Sequence, residues 1–160
     1  MCIRDSSLDK SMKVFNINKN MKNELLSLYK ILSPYPEVRE VLEDLKKKNF
    51  KLAILSNGTP DLLNELVENN KLNDLFDDLF SIEDVKIYKP DPSVYELPVK
   101  KYRIKSGEIT FLSANTWDVS GGGNFGYNSI WVNRHNSVFD ILDFEPKNEI
   151  NNLTHLLDKV

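Results

Sequence analysis

Three short polar segments of this chain carry side chains that can do chemistry. Ser56 and Asn57 directly follow an apolar run, and Lys89 lies in a proline-rich turn. The third segment also comes after an apolar run, and it contains a hydroxyl, an amide and a carboxylate: Ser113, Asn115 and Asp118. In open α/β sheets, ligands bind just beyond the carboxyl ends of the strands. The sequence therefore predicts a ligand site where these segments meet.

The surrounding elements alternate in the order expected of a parallel sheet. Four apolar runs rich in β-forming residues predict strands over 52–55, 79–82, 109–112 and 129–132. Helical spacing of apolar residues and turn signals predict helices over 20–32, 37–48, 61–70, 93–102 and 153–160, with a partial helix over 138–142 and a short helix in the glycine-rich segment. Because successive strand ends of such a sheet lie at one edge, the polar segments are expected to converge.

Each of these residues also has a purely structural explanation. Ser56 or Thr59 can cap the next helix, and Asp118 can cap the glycine-rich helix. Lys89 can be a surface lysine, and Trp117 and Tyr95 fit either a core or a pocket wall. The placement of all of them at strand ends favours a shared site.

Two other patterns do not indicate a cofactor. The glycines at 121–123 lie well past the preceding strand, and Asn133 stands where a dinucleotide fingerprint needs an acidic residue. His135 and His155 have no partner histidine nearby in the sequence. The sequence therefore predicts no cofactor and no metal.

Composition limits the class of protein and its partners. The chain has 160 residues, enough for one domain with a substantial core, and a net charge of −3. That charge gives no reason to expect nucleic acid or an anionic membrane as a partner. There is no apolar run of about 20 residues and no apolar segment typical of a signal peptide. Together with the single Cys2, these features predict a cytoplasmic protein.

Three segments resemble a known family. LAILSNGTP, YKPDPSVYEL and FLSANTWDVSGGGNFGYNSIWVNR are similar, in order, to the second, third and fourth signature segments of the haloacid dehalogenase (HAD) superfamily. The resemblance is closest to the L-2-haloacid dehalogenases (haloacid dehalogenase type II). It implies a Rossmann-like parallel sheet flanked by helices, a helical cap, and hydrolysis of (S)-2-haloacids to (R)-2-hydroxyacids through an aspartyl ester. It also implies a small-molecule 2-haloacid substrate and a possible homodimer.

The resemblance implies roles for eight residues. Lys89 would hold the nucleophilic carboxylate in its charged form, and Asp118, oriented by Ser113 and Asn115, would position or activate water. The residues implied in substrate binding are Ser56, Asn57, Tyr95 and Trp117.

The first signature of the family, an apolar strand ending in Asp-x-x-Gly-Thr, has no counterpart in the chain. Asp5 and Asp9 follow no apolar run, and the family's arginine of the early cap is also missing. Because the opening MCIRDS also differs in character from the rest of the chain, we expect an N-terminally truncated protein that is inactive as written. The expected organisation is a non-native or disordered extension over 1–13, a cap remnant over 14–36 and an incomplete HAD-like core over 37–160.

Two alternatives to a dehalogenase remain open. One is a magnesium-dependent phosphatase of the same superfamily, whose fourth motif resembles Gly-Asp-x-x-x-Asp. Here Ala114 stands at the first acidic position and only Asp118 remains, which favours the dehalogenase. The other is a non-catalytic fragment or remnant that binds small carboxylates. An upstream strand ending in Asp-x-x-Gly-Thr would distinguish these hypotheses.

Overall fold

The computed structural model describes the backbone of residues 3–160 and the side chains of residues 6–160. The described residues form six α-helices: α1 Ile3–Val14, α2 Lys22–Leu28, α3 Val38–Lys47, α4 Pro60–Asn69, α5 Pro92–Tyr102 and α6 Thr116–Phe125. They also form five strands: β1 Ala53–Ser56, β2 Asp78–Ser81, β3 Thr110–Ser113, β4 Asn128–Val132 and β5 Asn148–Ile150. Short 3₁₀ helices lie at Lys19–Met21, Tyr29–Ile31, Ile82–Asp84, Ser106–Glu108 and Leu153–Asp158.

All strand pairs are parallel, as the alternating pattern predicted. β1 pairs with β2, and β3, β4 and β5 form a second sheet in that order. Within the described residues, no strand pairing joins β1 to β3. The α/β class with parallel strands and flanking helices is therefore confirmed, and the strands are divided between two sheets.

The core lies where α3 packs on the second sheet. Val41, Leu42 and Leu45 occupy one face of α3 at spacings of one, three and four residues. They belong to one buried cluster with Ile130 of β4 and Ile150 of β5. This packing holds β4 and β5 in place, and it positions the loops that leave their carboxyl ends.

The N-terminal segment contains a helix that the sequence did not predict. A helix, α1, covers most of the residues predicted as a non-native or disordered extension, while Cys2 and Met1 lie outside the described part. Met12 is buried, and Asp9 forms a 2.7 Å ion pair with Lys22 near the start of α2. The apolar residues of α1 are too few to form a long stripe, so periodicity gave no signal for the helix.

The predicted helix over 20–32 is present but interrupted. It consists of Lys19–Met21, α2 and Tyr29–Ile31, and none of these three segments buries a residue. Ile31 and Leu32 are exposed by 64% and 55%. Of the apolar residues that predicted an amphipathic helix, Leu25 is half-buried, whereas Met21, Leu28 and Ile31 are exposed.

Two expectations near the C-terminus need correction, and one strand was not predicted. Residues 138–142 form no helix, because this loop is fixed by side-chain contacts instead: the Phe139 ring packs edge-on against Trp131 at 5.1 Å between centroids. The Thr116 hydroxyl also donates to Asp140 at 2.5 Å. The terminal segment is the 3₁₀ helix Leu153–Asp158 rather than an α-helix. The strand β5 was missed because it has only three residues, one of them apolar.

No helix in the described residues is long and apolar enough to cross a membrane.

Candidate active site

A buried ion pair lies at the centre of the predicted site. Lys89 Nζ is 2.8 Å from Asp118 Oδ2, and the two side chains are only 7% and 6% exposed. The same ammonium donates to the Leu55 carbonyl at 3.1 Å, near the carboxyl end of β1. Because Asp118 lies in the first turn of α6, which comes directly after β3, one lysine connects the carboxyl ends of the two sheets. The predicted convergence of Lys89 and Asp118 is thus present.

Tyr95 holds the other oxygen of this carboxylate. Its side chain is fully buried on α5, and its hydroxyl donates to Asp118 Oδ1 at 2.8 Å. Burial raises the pKa of Tyr95, and the negative charge and hydrogen bond of Asp118 raise it further. The phenol therefore keeps its proton and remains a donor. Each oxygen of Asp118 has its own donor, which fixes the plane of the carboxylate.

Asn57 connects the loop after β1 to the lysine. Its Oδ1 accepts a hydrogen bond from the backbone N–H of Lys89 at 3.0 Å. Ser56 Oγ accepts from the Gly58 N–H at 2.9 Å, and the Thr59 hydroxyl caps α4. The cap explanation therefore applies to Thr59, whereas Ser56 and Asn57 shape the loop that faces Lys89.

Ser113 and Asn115 lie at the edge of the site. Ser113 Oγ accepts from the backbone N–H of Asn115 at 3.2 Å, so this serine orders the turn into α6. The groups that hold the Asp118 carboxylate are Lys89 and Tyr95, not Ser113 and Asn115 as expected. The physical reason is position on the helix. Asn115 lies at the exposed position just before α6, whereas Asp118, three residues later, lies on the buried side of the helix.

An open cleft of about 360 Å³ adjoins this turn at the carboxyl ends of β3 and β4. Its lining includes the predicted residues Asn115 and Trp117 together with Tyr35, Arg134 and His135. The exposed ring of Trp117 and the amide of Asn115 therefore face a volume large enough for a small organic acid. The other six predicted residues do not line it: Lys89, Asp118, Tyr95, Ser56, Asn57 and Ser113.

The sequence analysis did not select Arg134, although this residue lies just past the carboxyl end of β4. Its guanidinium lies 2.6 Å from Glu37 Oε1 and 3.6 Å from the centre of the Tyr35 ring. Burial acts to raise the pKa of Glu37, but backbone N–H groups and the hydrogen bond from Arg134 outweigh it and lower that pKa. The pair fastens the segment before α3 to the end of β4. The rule that ligands bind beyond the carboxyl ends of strands also applies to Arg134, and it could have identified this residue from the sequence.

A divalent cation does not fit the Asp118 carboxylate. Among the described residues, no group of three or more histidine, cysteine, aspartate or glutamate side chains is placed to hold a metal. Both oxygens of Asp118 accept hydrogen bonds, and the Lys89 ammonium lies 2.8 Å from one of them. A positive charge at that distance repels a second cation. The donor set thus differs from the carboxylate-rich sets that Mg²⁺ prefers.

Comparison with known proteins agrees with the fold and with the three signature segments. The family model for haloacid dehalogenase-like hydrolases matches residues 3–132. This match covers most of the chain, and the chain therefore belongs to that family.

Individual relatives refine the comparison. The chain is 36% identical over 157 residues to (S)-2-haloacid dehalogenase 4A of Burkholderia cepacia, covering 96% of this chain and 68% of the relative. It is 36% identical over 141 residues to an (S)-2-haloacid dehalogenase of Pseudomonas putida, covering 88% and 62%. The chain thus spans about two thirds of the length of these relatives. A solved L-2-haloacid dehalogenase from Xanthobacter autotrophicus, with chloropropionic acid covalently bound, superposes with a TM-score of 0.88 at 26% identity, covering 95% of this chain and 71% of that one.

Proposed function

We propose that this chain is the larger part of a hydrolase that converts (S)-2-haloacids to (R)-2-hydroxyacids. The observation that carries the proposal is the buried set formed by Lys89, Asp118 and Tyr95, placed where two parallel sheets end. Its relatives named (S)-2-haloacid dehalogenase supply the substrate class. The proposed substrate is a small 2-haloacid, and a cytoplasmic location and a homodimer remain predictions.

The reaction needs a carboxylate nucleophile. Its oxygen attacks C2 of the substrate, the carbon–halogen bond breaks, and halide leaves as an ester forms. Water then attacks the carbonyl carbon of that ester, so that the hydroxyacid is released and the carboxylate is regenerated. Within the described side chains, Asp118 is the carboxylate that contacts Lys89, and its two oxygens are already held. Asp118 is therefore better suited to act on water than to attack C2.

We place the nucleophile on a strand between β1 and β3. Support comes from the division of the parallel strands into two sheets, which leaves an edge of β1 and an edge of β3 unpaired in the described part of the chain. Lys89 Nζ lies against the Leu55 carbonyl at the end of β1 and against Asp118 beyond β3. A strand inserted there and ending in aspartate would present its carboxylate beside the lysine.

The other site residues then act around this carboxylate. The positive charge of Lys89 keeps the nucleophile ionised. Asp118 accepts a proton from the hydrolytic water as general base. Ser56 and the backbone N–H groups at the start of α4 bind the substrate carboxylate, because helix N-termini favour anions. Asn57 lies against the halide side of the substrate, and Trp117 lies against its organic part. Ser113 and Asn115 order the turn from β3 into α6.

A fusion experiment tests this function. The chain is expressed alone and behind an upstream segment whose apolar strand ends in Asp-x-x-Gly-Thr, and halide release from L-2-chloropropionate is followed. We expect turnover from the fusion, none from the chain alone, and none from a matched fusion in which the strand aspartate is asparagine. Turnover should persist in EDTA, because the Asp118 environment does not fit a cation.

Several outcomes would contradict the proposal. Halide release by the chain alone would mean that another residue acts as the nucleophile. A well-folded fusion that releases phosphate from p-nitrophenyl phosphate, only with Mg²⁺, would favour the phosphatase. A well-folded fusion with neither activity would favour a non-catalytic carboxylate-binding protein.

A further inference from the structure

The glycine run of α6 approaches the buried carboxylate at one position. Gly121 lies three residues after Asp118, and therefore on the same side of the helix. A Cβ atom at this position would lie 2.6 Å from Tyr95 Oη and 2.9 Å from Pro90 Cβ. Both distances are shorter than real Cβ contacts, so the packing leaves no room for a side chain here.

One donor of Asp118 and the residue next to the other donor adjoin this glycine. Tyr95 Oη is the atom nearest to the missing Cβ, and Pro90 directly follows Lys89. A side chain at position 121 would therefore press on Tyr95, which holds the carboxylate, and on Pro90, which follows Lys89 in the chain.

Tyr95 has little freedom to move aside. Its ring packs against Phe111, Phe125 and Tyr127, with centroids 5.8, 6.0 and 5.9 Å away. The Tyr127 hydroxyl donates to the Tyr95 carbonyl and holds its backbone. Because ring and backbone are both confined, Tyr95 cannot relieve crowding at position 121 without a shift of one helix against the other, and such a shift separates the hydroxyl from Asp118.

The other two glycines of the run have different neighbours. A Cβ at Gly122 would meet the Phe111 ring at 2.7 Å, and one at Gly123 would meet the Phe144 ring. Of the three, Gly121 is the one that faces the Tyr95 hydroxyl. This difference provides a matched control on the same helix.

We infer that Gly121 is a positioning residue of the candidate site: its lack of a side chain is what allows the Tyr95 hydroxyl to hold Asp118. The catalytic meaning of this role rests on the proposed function, but the contact itself does not. Gly121 thus allows α6 to approach a buried phenol closely.

The test uses the 160-residue chain with ¹³Cζ-labelled tyrosine. The six tyrosines give six resonances, and Tyr95→Phe identifies that of Tyr95 by its loss. In Gly121→Ala we expect the Tyr95 resonance to shift and the melting temperature to fall by several degrees. In Gly123→Ala, which crowds Phe144 instead, the Tyr95 resonance should stay in place.

A double variant keeps the test decisive if Gly121→Ala unfolds. Tyr95→Phe removes the nearest atom, so Gly121→Ala should lower the melting temperature less in the Tyr95→Phe background than in the parent chain. An unshifted Tyr95 resonance in folded Gly121→Ala would overturn the inference, as would an equal loss of melting temperature in both backgrounds. Neither readout depends on halide release, so the inference and the proposed function can fail separately.

Discussion

At the scale of single residues, the site depends on how completely two buried charges are satisfied. Lys89 reaches a carboxylate and a carbonyl, and Asp118 reaches an ammonium and a phenol. A buried ion pair is costly to break, because removing one partner leaves the other charge unpaired in a poorly solvated interior. Loss of either Lys89 or Asp118 alone is therefore expected to destabilise the fold.

The first residue-scale prediction concerns this pair. We expect Lys89→Met to lower the free energy of unfolding by about 3–5 kcal/mol, since Asp118 is left without its counter-ion. The Lys89→Met and Asp118→Leu double variant should lose much less, because no buried charge remains. Urea unfolding followed by circular dichroism measures both. An equal loss of unfolding free energy in the single and double variants would show that the cost does not come from leaving Asp118 without its counter-ion.

At the scale of elements, the division of the parallel strands matters most. Within the described chain, β1 and β3 each pair with a strand on one edge only, so the other edge of each has no strand partner. A strand edge with free N–H and C=O groups is a template for pairing with another chain. The helix α3 covers the second sheet with its apolar face, but a helix cannot satisfy backbone groups at a strand edge.

We therefore predict that the chain alone self-associates, and that an added upstream strand suppresses this. Sedimentation velocity at increasing protein concentration should show growth in mass for the chain alone and less growth for the fusion. A matched fusion with proline in the middle of the added strand should behave like the chain alone, because proline removes a ladder hydrogen bond. A chain that stays monomeric at all concentrations would show that the edges are protected.

At the scale of the whole molecule, two buried phenols and one partly buried phenol link stability to alkaline pH. Burial raises the pKa of Tyr95, Tyr102 and Tyr127, and hydrogen bonds to carboxylates raise it further for the first two. An unfolded chain loses these protons near pH 10, whereas the folded chain keeps them. Their contribution to stability is thus complete below about pH 10 and is lost as pH rises above it.

Thermal melting between about pH 8 and pH 11.5 tests this linkage. We expect stability to fall above about pH 10, with phenolate absorbance rising together with unfolding. In Tyr102→Phe, one proton fewer is released on unfolding. The free energy of unfolding should therefore fall less steeply with pH, by about 1.4 kcal/mol per pH unit well above pH 10. A decline of unchanged slope would show that Tyr102 ionises equally in both states.

The sequence alone determined the class of fold and the meeting of Lys89 with Asp118. Apolar runs and helical spacing depend on neighbours along the chain, so they located β1 to β4 and the helices α3 to α5 to within a few residues. The rule that ligands bind at strand ends placed Lys89 and Asp118 together although they are far apart in sequence. α1 and β5 were missed because each buries too few apolar residues to produce a pattern.

Only the tertiary structure decided which groups touch. That Tyr95 rather than Ser113 or Asn115 holds Asp118 depends on how α5 packs against α6, and local sequence does not specify that contact. The pairing of Arg134 with Glu37 joins residues far apart in the chain and likewise results from packing. The division of the strands into two sheets also appears only in three dimensions, since each strand reads the same in sequence with or without a neighbour. Hydrogen bonding across a sheet is non-local, and for this reason the sequence predicts strands more surely than their partners.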